Sequence, residues 1–371
     1  MDERNYLGDL GDSDSNIPEE GPTTPPPGWL ENVTGYDQNH GDKDGTDKLY
    51  PPPPDYATVC ENDRNLQVPT VSVPVVSEDV AREALMEFVE RKWTYRSKPA
   101  RDMTFTDLKP FTVYRYRLET YTESRSSTWE FEPYTNQFVD GPQYGASPLP
   151  WDVPVEVPPM YTNVCLKVRV PHSSVVKVCH QCHGRGKVKC NHCRGKGETR
   201  CMSCHGTGRK SKKRCSFCRG SGRRRCSYCS GKGHKTCKSC LGHQNLLHFI
   251  QLTVTWKNHV FEFVPDRIPE FPIKKFDKVS GDAFFVEESI VVYPVMGFPD
   301  LDICNMSQKM IEEHLSKFST VSRILHQCQS IELVPLTRVF YTYKGKDFNY
   351  FVYGIENKVY TPKYPSSCSI L

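Results

Sequence analysis

Twelve of the 17 cysteines in this 371-residue chain lie in six Cys-x-x-Cys pairs between residues 179 and 240. A Gly-x-Gly sequence follows five of these pairs, whereas in the sixth repeat Gln244 stands where the second glycine is expected. Two residues between cysteines let both sulfurs point into one turn, and four such thiolates form a structural zinc site. We therefore expect three Zn2+ ions, held by Cys179, Cys182, Cys190, Cys193, Cys201, Cys204, Cys215, Cys218, Cys226, Cys229, Cys237 and Cys240.

The gaps between successive pairs are seven, seven, ten, seven and seven residues long, a series that is the same in both directions. A hairpin folded at residues 205–214 would bring the pairs together in three nested couples, first with sixth, second with fifth and third with fourth. Only nesting makes the equal outer gaps a geometric requirement, and we therefore favour it. Coupling of neighbouring pairs along the chain is the alternative.

Residues 179–243 contain few large apolar side chains besides cysteine, so this segment cannot form an apolar core. A structural zinc site contributes about 10–16 kcal/mol of apparent binding free energy, which replaces such a core. A ladder of disulfides is the competing interpretation. The first ten residues, MDERNYLGDL, lack the apolar run of an export signal. We therefore expect a protein of the cytoplasm, with the nucleus as a further location, whose thiols stay reduced.

These repeats resemble the cysteine-rich domain of the DnaJ co-chaperones, which binds zinc through Cys-x-x-Cys-x-Gly-x-Gly sequences. The resemblance covers residues 179–243 and implies nested zinc sites that project from a β-rich domain binding polypeptides. This chain has six repeats where that family usually has four, and it contains no His-Pro-Asp tripeptide, so stimulation of a partner ATPase is not implied. The whole layout is similar to that of the metazoan Ssu-two homologue family.

The charges of the chain are unevenly distributed. Residues 179–240 contain 18 Lys or Arg and one acid, Glu198, whereas the rest contains 30 basic and 43 acidic residues. Part of the positive charge balances the thiolates, but clusters at residues 209–214 and 223–225 suit acidic proteins or phosphate backbones. Such clusters also serve as nuclear import signals.

Both ends of the chain carry short candidate recognition sequences. Residues 1–68 are rich in Pro, Asp and Gly and are predicted to be disordered, and within them Pro53, Pro54 and Tyr56 form a PPxY sequence typical of WW-domain ligands. The last four residues, from Cys368 onward, fit either prenylation at Cys368, with contact to a membrane, or a PDZ-domain ligand. Chance is the third interpretation of the last four residues, and for the PPxY sequence the alternative is that its prolines only stiffen the tail.

The rest of the chain predicts an α+β fold: a β-rich domain with a few helices, formed by residues 69–177 and 244–371 and interrupted by the cysteine-rich β-hairpin module, 178–243. Apolar periodicity predicts helices at residues 78–93, capped by Ser77, and at 307–328, where His314 and Met310 belong to the core. Strands are expected at residues 113–121, 127–131, 164–170, 246–256, 260–264, 284–293, 336–343 and 348–353.

The sequence contains no His-Glu-x-x-His, Gly-x-Ser-x-Gly or Walker motif, and no apolar run long enough to span a membrane. We therefore expect a zinc-binding, non-enzymatic, chaperone-like or adaptor protein that binds polypeptide clients or acidic proteins. The alternative is a nuclear factor that binds nucleic acid through the basic module. A weaker alternative is a thiol-disulfide oxidoreductase that uses the Cys-x-x-Cys pairs.

Overall fold

The longest elements of the computed structural model, which describes residues 48–53 and 75–365, are antiparallel strands. Contacts divide these residues into two units. The first, which we call the sheet unit, comprises the described parts of Tyr50–Ser124, Glu156–Cys165 and Thr255–Leu371. The second contains the cysteine-rich segment and is called the arm unit; it comprises the described parts of Met1–Leu49, Arg125–Val155 and Leu166–Val254.

The secondary structure consists of fifteen strands and three α-helices within the described residues, together with short 3-10 helices at Pro142–Tyr144, Ser227–Cys229 and Ile273–Lys278. The helices are α1 (Glu78–Glu90), α2 (Lys98–Arg101) and α3 (Leu301–Phe318). The strands are β1 (Lys48–Tyr50), β2 (Thr104–Pro133), β3 (Val164–Arg169), β4 (Val175–Val178), β5 (Lys187–Lys189), β6 (Glu198–Arg200), β7 (Arg209–Lys210), β8 (Lys213–Arg214), β9 (Arg223–Arg225), β10 (His234–Thr236), β11 (Asn245–Phe263), β12 (Asp282–Ser289), β13 (Arg323–Tyr343), β14 (Lys346–Tyr353) and β15 (Lys358–Tyr360).

In the sheet unit, β2, β13, β14 and β15 are antiparallel neighbours in that order, and β12 pairs with β13. Helix α1 buries Leu85 and Val89 against β13 and β14, and the Tyr350 hydroxyl donates to the carbonyl of Ala81 at 2.8 Å. Helix α3 packs through Ile303 and Ile311 in a second apolar cluster. Each helix thus covers an apolar patch of the sheet, the arrangement of an α+β fold.

Several predicted elements are confirmed. Helix α1 begins after Ser77, whose hydroxyl accepts a hydrogen bond from the amide of Val80, and it ends three residues before the predicted end. Strands β13 and β14 form the expected terminal hairpin, in which Lys344 and Gly345 both have positive φ, at 51° and 70°. This combination is typical of the two-residue turns that suit the twist of a hairpin.

Two predicted breaks between strands are wrong. Strand β2 continues through the expected turn at residues 122–126, and β11 continues where a break was expected between residues 256 and 260. Two polar side chains of this part of β2 are buried and bonded: Thr122 donates to the carbonyl of Lys257, and Arg125 donates to that of Pro150 at 2.7 Å. Their polarity therefore reflects buried hydrogen bonds and not a solvent-exposed turn.

The predicted helix at residues 307–328 is wrong at both ends. Helix α3 begins after Asp300, which caps the amide of Asp302, and residues from Arg323 onward belong to β13. The Ser322 hydroxyl donates to the carbonyl of Phe318 at 2.9 Å, which closes the helix end. His314 and Met310 are buried on α3, as predicted. The strand expected at residues 284–293 is shorter and shifted, and corresponds to β12.

The cysteine-rich segment lies between β4 and β11, which pair antiparallel from Val178 opposite Asn245 to Val175 opposite His248. The predicted strand at residues 164–170 is present as β3, but it does not lead directly into the first cysteine pair. The chain first turns at His172, which has a φ of 58° and whose Nδ1 lies 2.6 Å from Asp140 Oδ1. Within the described residues, no helix has the length and apolar character needed to cross a bilayer.

Candidate metal centres

Three short ladders bring the six cysteine pairs face to face. Strand β5 pairs with β10, β6 with β9 and β7 with β8, all antiparallel. The chain reverses at Ser211 and Lys212, which have φ values of 47° and 66° and form a two-residue turn within the ten-residue gap. The segment from Cys179 to Cys240 is therefore one nested hairpin, which we call the arm.

The twelve sulfurs lie in three groups of four, each from two pairs on opposite sides of the arm. The proximal group contains Cys179, Cys182, Cys237 and Cys240, the middle group Cys190, Cys193, Cys226 and Cys229, and the distal group Cys201, Cys204, Cys215 and Cys218. Within each group all ligand atoms lie within 4.8 Å of one another. This is the nested grouping that the gap lengths predict. The alternative, in which each cysteine pair shares a group with its neighbour along the chain, is not observed. The third and fourth pairs do share a group, but nesting predicts that as well.

The distances between sulfurs fit a tetrahedral zinc ion. Facing sulfurs are 3.6–3.9 Å apart in all three groups. Zinc–sulfur bonds of about 2.3 Å at tetrahedral angles place the sulfurs about 3.8 Å from one another. The cysteines are at most 8 % exposed, so a metal bound there would be shielded from water. The donor set and the geometry therefore suit three zinc sites, each with four thiolate ligands.

Backbone amides surround the sulfurs. The second glycine of each complete repeat donates its N–H to the second cysteine of the same repeat, for example Gly186 to Cys182 at 3.2 Å and Gly208 to Cys204 at 3.3 Å. Such bonds stabilise a thiolate and orient it toward a metal. In the sixth repeat Gln244 adopts the same left-handed conformation with a φ of 72°. The substitution of glutamine for glycine therefore preserves the turn.

The glycines also allow the two sides of the arm to approach closely. A methyl group on Gly186 would lie 2.7 Å from the carbonyl oxygen of Gly242, and one on Gly208 would overlap the carbonyl oxygen of Gly220. The carbonyls of these second glycines continue the ladders, since the amide of Cys215 donates to the carbonyl of Gly208 at 2.9 Å. Glycine is thus required both for φ and for space.

Thiols within one group differ in acidity. A hydrogen bond from the backbone amide of Cys193 lowers the pKa of Cys190 to about 7, whereas burial raises the pKa of Cys226, 3.9 Å away, to about 11. The free arm therefore keeps protons on part of this group near pH 7. Metal binding must release these protons, which makes affinity depend on pH.

Like charges face each other across the ladders of the arm. Arg200 is opposite Arg223, Arg209 opposite Arg214 and Lys210 opposite Lys213. We call these six residues the ladder cations. All are exposed, and no ion pair joins any of them to a carboxylate of the described residues. Like charges directly opposite each other destabilise a pair of strands.

Three arginines are ordered by the turns of the arm, a feature that sequence reasoning missed. The residue before the first cysteine of a repeat lies over the first glycine of that repeat, as Arg200 does at Gly206, Arg214 at Gly220 and Arg225 at Gly231. The Nε of Arg225 also donates to the carbonyl of Ser230 at 2.7 Å. The recurrence of arginine one position before a first cysteine was the available sequence signal.

A cavity of about 280 Å³ lies beside the middle group, lined by Lys187, Cys229, Ser230, Lys232, His234, Lys235 and Thr236. Next to it, the ring of Tyr228 is contacted by His192, with ring centroids 4.2 Å apart, and by the Nζ of Lys235 at 5.2 Å. The cavity offers several cations and hydroxyl groups to an anion.

Most of the other predicted site residues lie outside the part of the chain that the structure describes. Pro54, Tyr56 and Cys368 lie outside the described residues, and of the PPxY sequence only Pro53 is described, so the WW, lipid and PDZ interpretations stay predictions. Cys60 also lies outside the described residues. Cys165 lies in β3 and is exposed.

Comparison with known proteins identifies relatives of nearly full length. A human protein named "Protein SSUH2 homolog" is 47 % identical over 366 residues, which cover 96 % of each chain. The zebrafish protein of the same name is 43 % identical over 94 % of this chain and 96 % of its own, and the mouse protein is 47 % identical over 85 % and 93 %. No family model and no solved structure matches. The chain therefore belongs to the SSUH2 homologue family, the Ssu-two homologues that its layout resembles.

Proposed function

We propose that the three cysteine groups bind three Zn2+ ions and that the metal holds the arm folded. The support is the agreement between the observed sulfur spacing and that of a four-thiolate zinc site, together with the amide hydrogen bonds to the sulfurs. Zinc would supply the cohesion that an apolar core supplies elsewhere. The nested groups fasten the two sides of the arm at three levels, so the arm presents its surface side chains in a fixed arrangement.

On this basis the protein is a non-enzymatic, chaperone-like or adaptor protein whose arm binds acidic polypeptides. The observation that carries this proposal is the set of ladder cations. Three directly opposed like-charge pairs lower the stability of the arm, and an anionic partner removes that cost when it binds between them. The ordered stems of Arg200, Arg214 and Arg225 add to this, because less side-chain entropy is lost on binding.

Nucleic acid is the second candidate partner, because the same cations would neutralise phosphates. Stacking of bases has less support than charge. Of the two exposed rings on the arm, Phe217 and Tyr228, the second is already contacted by His192 and Lys235. Nucleic-acid binding would therefore depend on phosphate contacts rather than on recognition of bases.

A binding experiment with the full-length, zinc-loaded protein tests the proposal. The probes are a labelled peptide of ten glutamates, a 20-base-pair DNA duplex and a single-stranded RNA of the same length. We expect the Arg209→Gln/Arg223→Gln variant to bind the peptide at least fivefold more weakly. The Lys344→Gln/Lys346→Gln variant, altered at an exposed turn of the sheet unit, is the matched control and should bind as the unaltered chain does.

The outcomes separate the two candidates. Peptide binding that depends on the ladder cations supports the adaptor function. Preferential binding of either nucleic acid, with an affinity that falls steeply with the logarithm of salt concentration, would favour the nuclear alternative instead. If none of the probes binds, the arm is not an anion-binding surface. Residence in cytoplasm and nucleus, and recruitment of a WW-domain protein through Tyr56, belong to the same proposal and are tested by imaging and by a Tyr56→Ala pull-down.

A further inference from the structure

The negative charge that balances the arm is concentrated in one segment of the same chain. Residues 1–47 contain 12 acidic and two basic residues, a formal charge of −10. Residues 179–240 carry +17, and everything outside them carries −13. The segment of residues 1–47, which we call the acidic segment, therefore supplies most of the negative excess of the protein.

Among the described residues, no carboxylate forms an ion pair with the ladder cations. The arm contains a single acid, Glu198, opposite Arg225, and the three like-charge pairs lie at other positions. The arginines held over glycine turns keep most of their guanidinium donors available; Arg225, for example, uses Nε for the carbonyl of Ser230. An occupant with several carboxylates would relieve the repulsion between these cations.

The acidic segment is longer than the arm when both are fully extended. An extended chain spans about 3.3 Å per residue, so 47 residues extend to about 155 Å. The 33 residues from Cys179 to the turn at Ser211 cannot exceed about 110 Å by the same measure. Covalent connection gives a tethered ligand an effective concentration that reaches the millimolar range. An attraction too weak to join separate molecules can therefore be sufficient within one chain.

We propose that the acidic segment docks on the ladder cations of the arm and competes there with external acidic polypeptides. This inference rests on the proposed function of the arm as a surface for acidic polypeptides, and adds that the chain itself carries the first occupant. External partners must then displace it, so only partners with denser negative charge, or present at high concentration, bind well.

Lysine labelling of the full-length, zinc-loaded protein tests this contact. In one variant, seven acids of the segment are neutralised: Asp2→Asn, Glu3→Gln, Asp9→Asn, Asp12→Asn, Asp14→Asn, Glu19→Gln and Glu20→Gln. A matched control carries Ser13→Thr, Ser15→Thr, Thr23→Ser and Thr24→Ser, which alter the same region without changing charge. Each chain is treated briefly with an amine-reactive reagent at low salt, and labelling of Lys210, Lys212 and Lys213 is measured by mass spectrometry.

We expect these three lysines to be labelled at least threefold more slowly in the unaltered and control chains than in the neutralised variant. Lys344 and Lys346, at an exposed turn of the sheet unit, should be labelled equally in all three. The difference should vanish in 0.5 M NaCl, since salt screens exposed charges. The neutralised variant should also bind the decaglutamate peptide at least fivefold more tightly at low salt.

Equal labelling of the arm lysines in all chains would overturn the docking of the acidic segment. If the decaglutamate peptide nevertheless binds through Arg209 and Arg223, the proposed function of the arm is retained and only the docking of the acidic segment is rejected. If the peptide also fails to bind, the proposed function is rejected as well. Protection that increases with protein concentration would show that the segment of a second copy is the occupant, which contradicts docking within one chain.

Discussion

The sulfur atoms of Cys182 and Cys240 lie 3.6 Å apart although 58 residues separate them along the chain. Cys182 and the next cysteine in sequence, Cys190, belong to different groups. The two sides of the arm are therefore joined by the proximal, middle and distal groups in turn. Loss of a ligand from one group should weaken metal binding in that group and leave the other two intact.

Replacement of one ligand tests this pairing. We expect Cys240→Ser to expose the other three thiols of the proximal group, Cys179, Cys182 and Cys237, to alkylation, because one lost thiolate strongly weakens a site built from four. The middle group should stay protected. Mass spectrometry of peptides alkylated under native conditions identifies the affected cysteines, and Ser239→Ala, which leaves all thiols in place, is the control. Exposure of Cys226 and Cys229 in place of Cys179 and Cys182 would instead indicate coupling of neighbouring pairs.

Replacement of a glycine at a close approach tests the packing of the arm. Gly208→Ala places a methyl group into the carbonyl of Gly220, and we expect faster transfer of zinc from the distal group to a chelator. Gly345→Ala is the matched control, because Gly345 has a φ of 70°, close to the 73° of Gly208, but no atom within 4 Å of the added carbon. Both variants bear backbone strain of about 1–2 kcal/mol. Equal rates of zinc release would show that the contact has no role.

Acid should destabilise the arm unit through His248. The Nδ1 of this buried ring has no hydrogen-bond partner among the residues that the structure describes, and burial, assisted by Lys177 and His180, lowers the pKa of the ring to about 4. Above about pH 6.5 the ring is neutral in both the folded and unfolded states, so it contributes no pH dependence there. As the pH falls toward 4, the unfolded state takes up the proton first, and the free energy of unfolding decreases by at most about 3 kcal/mol.

Denaturant unfolding at pH 8 and at pH 5 measures this effect. Protonation of the thiolates also releases metal in acid, so the informative quantity is the difference between His248→Phe and the unaltered chain. We expect the variant to lose less stability between the two pH values. An identical loss in both chains would show that His248 does not contribute.

The stability of the sheet unit should depend on the buried side-chain amide of Gln327. The side chain of Gln327 accepts a hydrogen bond from the amide of Val292 at 3.1 Å and donates one to the hydroxyl of Thr120 at 3.0 Å, which in turn lies 2.8 Å from His314 Nδ1. Gln327→Leu removes both hydrogen bonds of the amide and leaves the buried N–H of Val292 without its acceptor, so it should lower the free energy of unfolding by about 2–4 kcal/mol.

Thermal and denaturant unfolding check this value. The control is Gln308→Leu, because Gln308 is exposed on α3 and bonds only to Glu312 among the described contacts. We expect a change within about 0.5 kcal/mol for that variant. A loss of similar size in both variants would contradict a specific role for the buried network.

The grouping of the cysteines could be predicted because each ligand pair is local and the gap lengths restrict how pairs combine. The ends of long strands could not. The polar run at residues 122–126 predicts a turn in isolation, and only the distant carbonyls of Lys257 and Pro150 explain why Thr122 and Arg125 lie within a strand. In the same way, β13 begins where apolar residues continue the helical spacing of α3, and it is pairing with β2 that makes it a strand.

The position of the arginines over the glycine turns could not be predicted from the sequence either. It depends on the position of Arg200 relative to Gly206 within one repeat, and the sequence indicates only that arginine recurs before a first cysteine. Charge, in contrast, could be read directly: the balance of +17 on residues 179–240 comes from the sequence, while the opposition of Arg200 and Arg223 needed the register of β6 and β9.

The number of zinc ions bound per chain tests the central claim most directly. Native mass spectrometry of the reduced full-length protein should show three Zn2+ ions, and one fewer for Cys182→Ser, Cys193→Ser or Cys204→Ser, each of which removes a ligand from a different group. X-ray absorption should report four sulfur ligands at about 2.3 Å around each metal. A chain that is folded without metal, or that carries disulfides in place of zinc, would contradict the account.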